Sequence, residues 1–591
     1  MGEHTTVAGR ERTVLSVSWI VFGLVMLVQT SWFRHTKSIT FDETYFLSCG
    51  LQTIHDGRLD SRICSQGVAP LPILLDYLLP LSFVGVEARP TPWEGQAQDA
   101  RLIYGPRLAN SLLVGLPLVF VVSWWLFKRR GVMAGIVGAG LIAFSPSVVA
   151  HASLATTDSC FALFGMLALA AISWYFHQPS RWRFVIMAVA IASAMAAKYS
   201  GVFLLPVVAL MFVFRTGWSM NEDGHAAWMP WIRYLATRGA ALAVLIVFFW
   251  WGLHLFSFTG PLKNVPLEDT PDWSPWVKIL GRGPVVDELM RVSHEVIRRP
   301  APFDGVLFQY LHNKGGHCAF FAGQYSETGW WYYFPCAFAM KSTPVELLLA
   351  LGLVVLAASA LRAPARNWRK LDVDIQVLGL AILIFSGLVM TSSINIGHRY
   401  ILILYPILIV AVVDRLWEHF GRWGSSKVYL AMGLLVVQGI SCLSVAPHYL
   451  AYFNSFVGGP TNGRYYLLDS NIDWGQDLPA LRSELQRMGR PRTAIRYFGT
   501  AVPRAYGVEA DPVPGLARSV ENYEVLAISV SPLHGLYVRG EDPFRCFREM
   551  EPVGYAGYSM LLFDLGSPEA RDALQQAITR EGLDGVKAEA D

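Results

Sequence analysis

The sequence predicts a mainly α polytopic membrane protein of about eleven transmembrane helices, with a small C-terminal α/β domain on the non-cytoplasmic side. Three observations predict it. Of 591 residues 53% are hydrophobic and only 16% charged, with mean hydropathy +0.37; an ordinary soluble domain carries about 25% charge. Apolar runs long enough to cross about 30 Å of hydrocarbon recur along the first three quarters of the chain. After residue 446 they give way to short β-type segments separated by turn residues. The 20 Trp and 23 Tyr suit interfacial aromatic belts. A net charge of +3 at this length gives no sign of a nucleic-acid partner, and seven Cys are too few for a disulfide framework.

The apolar runs lie at 14–33, 108–127, 132–150, 159–176, 184–197, 201–214, 239–258, 345–361, 375–392, 399–413 and 428–446. Lys198-Tyr199-Ser200-Gly201 divides the stretch 184–214 into two short spans. The run 70–86, with Pro70, Pro72, Asp76 and Pro80, reads as a re-entrant or interfacial segment. The first run has no small-residue cleavage site and is an anchor rather than a signal peptide. Basic clusters fall at Arg10/Arg12, Lys128-Arg129-Arg130, Arg181/Arg183, 215–238, 362–370 and 415–427. Eleven spans and a cytoplasmic N-terminus put them all on the cytoplasmic side. Residues 1–446 then form a transmembrane domain whose loops 34–107 and 259–344 face the other side, as does the domain 447–591. In that domain strands are expected at 494–498, 525–530 and 559–563, and a helix at 478–488. No repeat of 20–50 residues is visible.

Ionisable residues at membrane depth are costly and are candidates for function. Here they collect on one side: Asp42-Glu43 after the first span, His151 and Asp158 around the turn after the third, Lys198 between the fifth and sixth, and His398-Arg399 at the mouth of the tenth. Acids there can deprotonate a hydroxyl or hold a metal ion, and Lys and Arg can hold a phosphate. Taken singly, each has a plainer reading: interfacial anchors for Lys198 and Arg399, a helix cap for Asp158, structural histidines for His151 and His398. Their convergence on one side favours a site.

At these residues the sequence resembles the glycosyltransferase C superfamily, in particular the protein O-mannosyltransferase and lipid A aminoarabinose transferase group. The resemblance rests on Phe41-Asp42-Glu43, Leu154-Ala155-Thr156-Thr157-Asp158, Ala197-Lys198-Tyr199-Ser200-Gly201 and Gly397-His398-Arg399-Tyr400 with Pro406. It extends to Gly329-Trp330-Trp331-Tyr332-Tyr333-Phe334-Pro335, Lys341-Ser342-Thr343-Pro344 and the tail motif 469–477. The chain has eleven expected spans rather than the thirteen of the aminoarabinose transferase, and loop 259–344 is too short for the mannosyltransferases' β-trefoil. The resemblance implies transfer of one sugar from a polyprenyl-phosphate donor to a hydroxyl of a glycan, lipid or protein, at the periplasmic face of a bacterial inner membrane.

In that reading Asp42 is the general base, supported by Glu43 and Asp158, and Lys198, Arg399 and His398 hold the donor phosphate. Inversion by single displacement is expected. A divalent cation (Mg, Mn or Zn) on Asp42 and Asp158 stays open, with no cofactor certain. His151, His317, Lys341, Asp473 and an exposed Trp474 are further candidates for substrate binding. Asp469, Asn471, Asp473 and Asp477 have calcium-loop offsets, but Gly475 comes one place late and Ala480 stands where Glu is needed. Asp477 is expected to cap the next helix, leaving the loop to pack the tail on the catalytic face. Cys49 with Cys64 and Cys318 with Cys336 are candidate disulfides. From another class, a transporter or flippase of a lipid-linked or anionic substrate would share the build, but it predicts inverted repeats and midplane charges.

Overall fold

The computed structural model describes residues 2–84, 102–221, 228–259, 280–295, 298–362, 371–419, 426–513, 519–538 and 542–588. Every one of the eleven apolar runs folds as helix. Among the described residues, five helices are long and apolar enough to cross a membrane: Glu11–Thr36, Tyr104–Arg130, Thr157–His177, Trp231–Leu253 and Val373–Met390. Val132–Ala143 and Pro146–Ala152 make a sixth if their 67° bend lies within one span. The bend falls where Pro146 can donate no backbone hydrogen bond. The expected count of eleven exceeds these because the other runs form shorter helices, such as Arg181–Ala197, 17 residues, and Leu404–His419, 16 residues. The segment Pro70–Leu81 is likewise short and apolar, with a π-helical stretch Ile73–Leu78 at its centre.

Helix starts are marked by local chemistry. Ser180 accepts from the Arg183 N–H at 3.3 Å, and Asp372 from the Asp374 N–H at 2.9 Å. At Phe41–Asp56 the Glu43 carboxylate reaches back to the Thr40 N–H at 2.9 Å, half of a capping box. Lys198 is extended, at φ −160° and ψ 136°, and so separates Arg181–Ala197 from the 3₁₀ turn Tyr199–Phe203.

Two short ribbons, β1 (Phe258–Thr259) with β2 (Arg299–Pro300) and β3 (Ala319–Phe321) with β4 (Gln324–Ser326), lie between the helices Trp228–Leu253 and Pro344–Arg362. The tail holds a five-stranded sheet of β5 (Thr493–Arg496), β6 (Ala510–Pro512), β7 (Val525–Ser529), β8 (Gly554–Ala556) and β9 (Met560–Asp564). Its order is β6-β5-β7-β9-β8, with β6, β5 and β7 parallel and β9 and β8 antiparallel. Helices Leu478–Arg487 and Pro568–Ala588 belong to the same domain. The strands expected at 494–498, 525–530 and 559–563 correspond to β5, β7 and β9, each within two residues.

The tail is fastened to the segment that follows the first helix. The Ser38 N–H donates to the Gln476 carbonyl at 2.8 Å and the Phe41 N–H to the Trp474 carbonyl at 3.1 Å. The Lys37 ammonium, 2% exposed, pairs with Asp477. Next to it Arg107 is fully buried, with Nη2 2.7 Å and Nε 2.9 Å from Glu43, and it also donates to the Lys37 and Ser38 carbonyls. Lys37 and Arg107 are thus each matched by a carboxylate, which offsets the cost of burying their charge.

The disulfides expected at Cys49/Cys64 and Cys318/Cys336 are not formed, and all seven cysteines are free thiols. Cys49 and Cys64 are buried on separate helices, beside the hydroxyl groups of Tyr45 and Tyr199. Thiol titration of the denatured, unreduced protein should therefore count seven, and three would contradict the structure. Arg107→Ala, which strands Glu43 in the interior, should lower stability by about 3–5 kcal/mol. Thermal unfolding in detergent checks this, and an unchanged midpoint would refute the pair's role.

Candidate active site

Asp42 and Asp158 are each the second residue of a helix, Phe41–Asp56 and Thr157–His177, where the helix dipole favours negative charge. Lys198 sits at the helix break and Arg399 in the 3₁₀ turn His398–Ile401. These four form a row of alternating sign. Arg399 Nη1 is 2.6 Å from Asp42 and 3.7 Å from the other acid, Asp158, and Lys198 Nζ is 2.5 Å from Asp158. Aromatic faces close the row. The Arg399 guanidinium lies 4.2 Å from the centre of the Trp474 ring, and Lys198 Nζ 4.3 Å from that of Tyr400. The two ends of the row are more open than its middle: the Asp42 side chain is 28% exposed and Lys198 16%, whereas Arg399 is 8% and Asp158 0% exposed.

The tail loop holds Arg399 in place. The His398 N–H donates to Asn471 Oδ1 at 2.9 Å, and Ser470 Oγ to the Ile396 carbonyl at 2.9 Å. A Cβ at Gly397 would run into Ser470 Oγ and push that hydroxyl off the Ile396 carbonyl. Alongside, the rings of Phe41, Phe498 and Tyr537 stack with centroids 6.0 and 5.8 Å apart, which leads from Asp42 across to the tail.

The other expected residues fall elsewhere. Glu43 is turned from the row into the Arg107 pair and also accepts from the Ala155 N–H at 3.0 Å. Adjacent residues of a helix diverge, so Asp42 and Glu43 cannot face one site. Trp474 is 1% exposed, not exposed as expected, because it is the floor under Arg399. Lys341 is buried and donates to the carbonyls of Leu450, at 2.7 Å, and Asn471. It braces the tail loop rather than facing a ligand, and burial without a facing acid holds its ammonium pKa well below the usual range. Asp473 accepts from the Ser531 N–H at 3.1 Å inside the tail. His317 stacks edge-on against Tyr537 at 5.4 Å. His151 and His398 are buried with ring centroids 5.9 Å apart; His398 Nε2 meets Ser147 Oγ at 2.9 Å, and neither nitrogen of His151 has a partner among the described residues. Asp477 occupies the N-cap position but does not cap the helix with its side chain, which serves Lys37 and accepts from Ser559 Oγ at 2.8 Å.

Asp42 and Asp158 do not fit a metal as arranged, since the Arg399 guanidinium stands between their carboxylates. Among the described residues, His177, Asp372 and Asp374 have metal-ligand spacing, but Arg129 already binds both acids. The residues that the sequence reading missed are Lys37, Arg107, Phe498 and Tyr537. Arg107 had one signal, a lone cation at the mouth of a span.

Apolar helices, with paired acids and cations at their ends and a C-terminal mixed sheet docked on them, are the build of a multi-pass membrane protein. Residues 96–259, less than a third of the chain, match the family described as dolichyl-phosphate-mannose-protein mannosyltransferase. The matched stretch contains Arg107, His151, Asp158 and Lys198. The solved structures similar to the chain include two of ArnT from Cupriavidus metallidurans. The form bound to undecaprenyl phosphate has 12% identity, 93% of this chain and 98% of that one covered, and a TM-score of 0.43. The apo form has 12% identity, 94% and 99% covered, and a TM-score of 0.30. No curated protein matches.

Burial pushes the Asp477 carboxyl pKa up, but Lys37 and His448 outweigh it and hold it below the ordinary range. A lowered carboxylate pKa contributes stability above the unfolded value, about pH 4, that is lost as pH falls below it. Fluorescence of buried Trp474 should report the tail loosening in acid, and Asp477→Asn should be weaker at neutral pH with a flatter pH profile. Equal profiles would contradict this.

Proposed function

We propose that the chain transfers a single sugar from a polyprenyl-phosphate-linked donor to a hydroxyl of a glycan, lipid or protein acceptor. The reaction takes place on the non-cytoplasmic face of a bacterial inner membrane, with the N-terminus cytoplasmic, eleven spans and the tail outside. The observation that carries this is the row Asp42–Arg399–Asp158–Lys198. A lipid phosphate lies at the interface with its chain in the bilayer, within reach of helix ends that hold Lys198 and Arg399. Drawn toward that phosphate, Arg399 releases Asp42, the most open acid of the row.

Asp42 then accepts the acceptor's proton as its oxygen attacks the anomeric carbon. The bond from that carbon to the phosphate oxygen breaks with both electrons to the phosphate, and Lys198 and Arg399 stabilise the charge that appears there. A single displacement inverts the configuration. Asp158 positions both cations, and Glu43 positions Asp42 by fixing the start of its helix. No divalent cation is needed in this scheme.

The test follows radiolabel from a panel of polyprenyl-phosphate sugars to an envelope extract, with purified protein in lipid. Asp42→Asn should lose transfer by about 10²–10⁴-fold while folding normally. Arg399→Lys and Lys198→Ala should raise the KM for donor. Transfer by Asp42→Asn at the wild-type rate would remove Asp42 as base.

A further inference from the structure

A second site lies in the tail, at the opposite end of β5 from the row. The strand leaves Arg496 toward Tyr497, whose hydroxyl donates to Gly475, and Phe498, which stacks on Phe41. Its other end, Thr493, borders an open surface groove of about 790 Å³, lined mostly by exposed side chains. That volume lies within the ordinary range of small-molecule sites, about 300–1,000 Å³.

Four arginines from three elements line it. Arg482 comes from the helix Leu478–Arg487, Arg490 and Arg492 from the turn into β5, and Arg504 from Pro503–Tyr506. None of these guanidinium groups has a carboxylate partner among the described residues, whereas nearby Arg487 pairs with Glu484. All four are solvent-exposed, and together they make this surface groove locally positive and attractive to an anion. The walls are fixed. Gly507, at φ +73°, packs on the stem of Arg482, where a Cβ would stand 3.0 Å from Cδ. The hydroxyl of Tyr523, 2% exposed, donates to Asp511 Oδ2 at 2.6 Å and orients that carboxylate on the wall.

Glu509 and Asp511 are the acids of the lining, so the arginines leave an excess of two positive charges. We infer that this groove binds a phosphorylated saccharide. The doubly charged phosphate monoester matches the excess and the forked geometry of arginine. The carboxylates of Glu509 and Asp511 and the amide of Gln486 suit sugar hydroxyl groups at the other end. A purely anionic ligand would leave those two carboxylates repelling it.

Glucose 6-phosphate is the probe, titrated calorimetrically into the full chain in a neutral detergent beside glucose and inorganic phosphate. Glucose 6-phosphate should bind at least tenfold more tightly than either. Arg482→Ala/Arg504→Ala should weaken it tenfold or more, with sugar transfer and thermal midpoint unchanged. Arg482→Lys/Arg504→Lys, which keeps the charge but loses the fork, covers the case in which the alanine pair misfolds and should weaken binding in the same direction. No binding, or binding untouched by both pairs, would overturn the site. Equal affinity for inorganic phosphate would overturn its assignment to a saccharide. The readout is binding, so it stands apart from the transfer reaction proposed above.

Discussion

Arg399 is buried, and a buried guanidinium must be matched by acceptors or by an aromatic face. It finds Asp42 at 2.6 Å, Asp158 at 3.7 Å and the Trp474 ring at 4.2 Å. These partners come from the segment after the first helix, from the start of Thr157–His177 and from the tail. One cation thus ties together three parts of the chain far apart in sequence. Removing it would leave Asp158, wholly buried, with Lys198 alone, and Trp474 above an empty volume.

The docking of the tail follows from the same need. Lys37, Arg107 and Lys341 are all sequestered from water. The first two have carboxylates, from Asp477 and Glu43, and the third has two carbonyls. Asp477 and the Lys341 acceptor Asn471 lie in the loop 469–477, so closing that loop on the membrane part satisfies both cations. It also sets Trp474 under Arg399. The candidate site and the attachment of the tail are therefore one structure.

Much of this was legible in the sequence. The apolar runs gave the helices, because their signal is local. The acids and cations of the row stood out because charge beside an apolar run is costly and conspicuous. What was not legible depended on facing. Asp42 and Glu43 are neighbours in sequence yet serve opposite sides of one helix, and nothing local says which is turned inward. Trp474 and Asp477 read as exposed sugar contact and helix cap; each is diverted by a partner hundreds of residues away, Arg399 and Lys37. The short strands β6 and β8 carry three residues each, too few for an alternation to register. The cysteine pairs shared a loop, but two separate helices hold the first pair apart.

The central claim is that Lys198 and Arg399 receive the phosphate of the lipid carrier. The most direct measurement is the affinity of a polyprenyl phosphate without sugar for the protein in nanodiscs, wild type beside Lys198→Ala and Arg399→Ala. The account predicts that each substitution weakens binding at least tenfold and that high salt weakens the wild type. Affinity unchanged in both variants would contradict it, and the row would then be a structural ion network with no part in donor recognition.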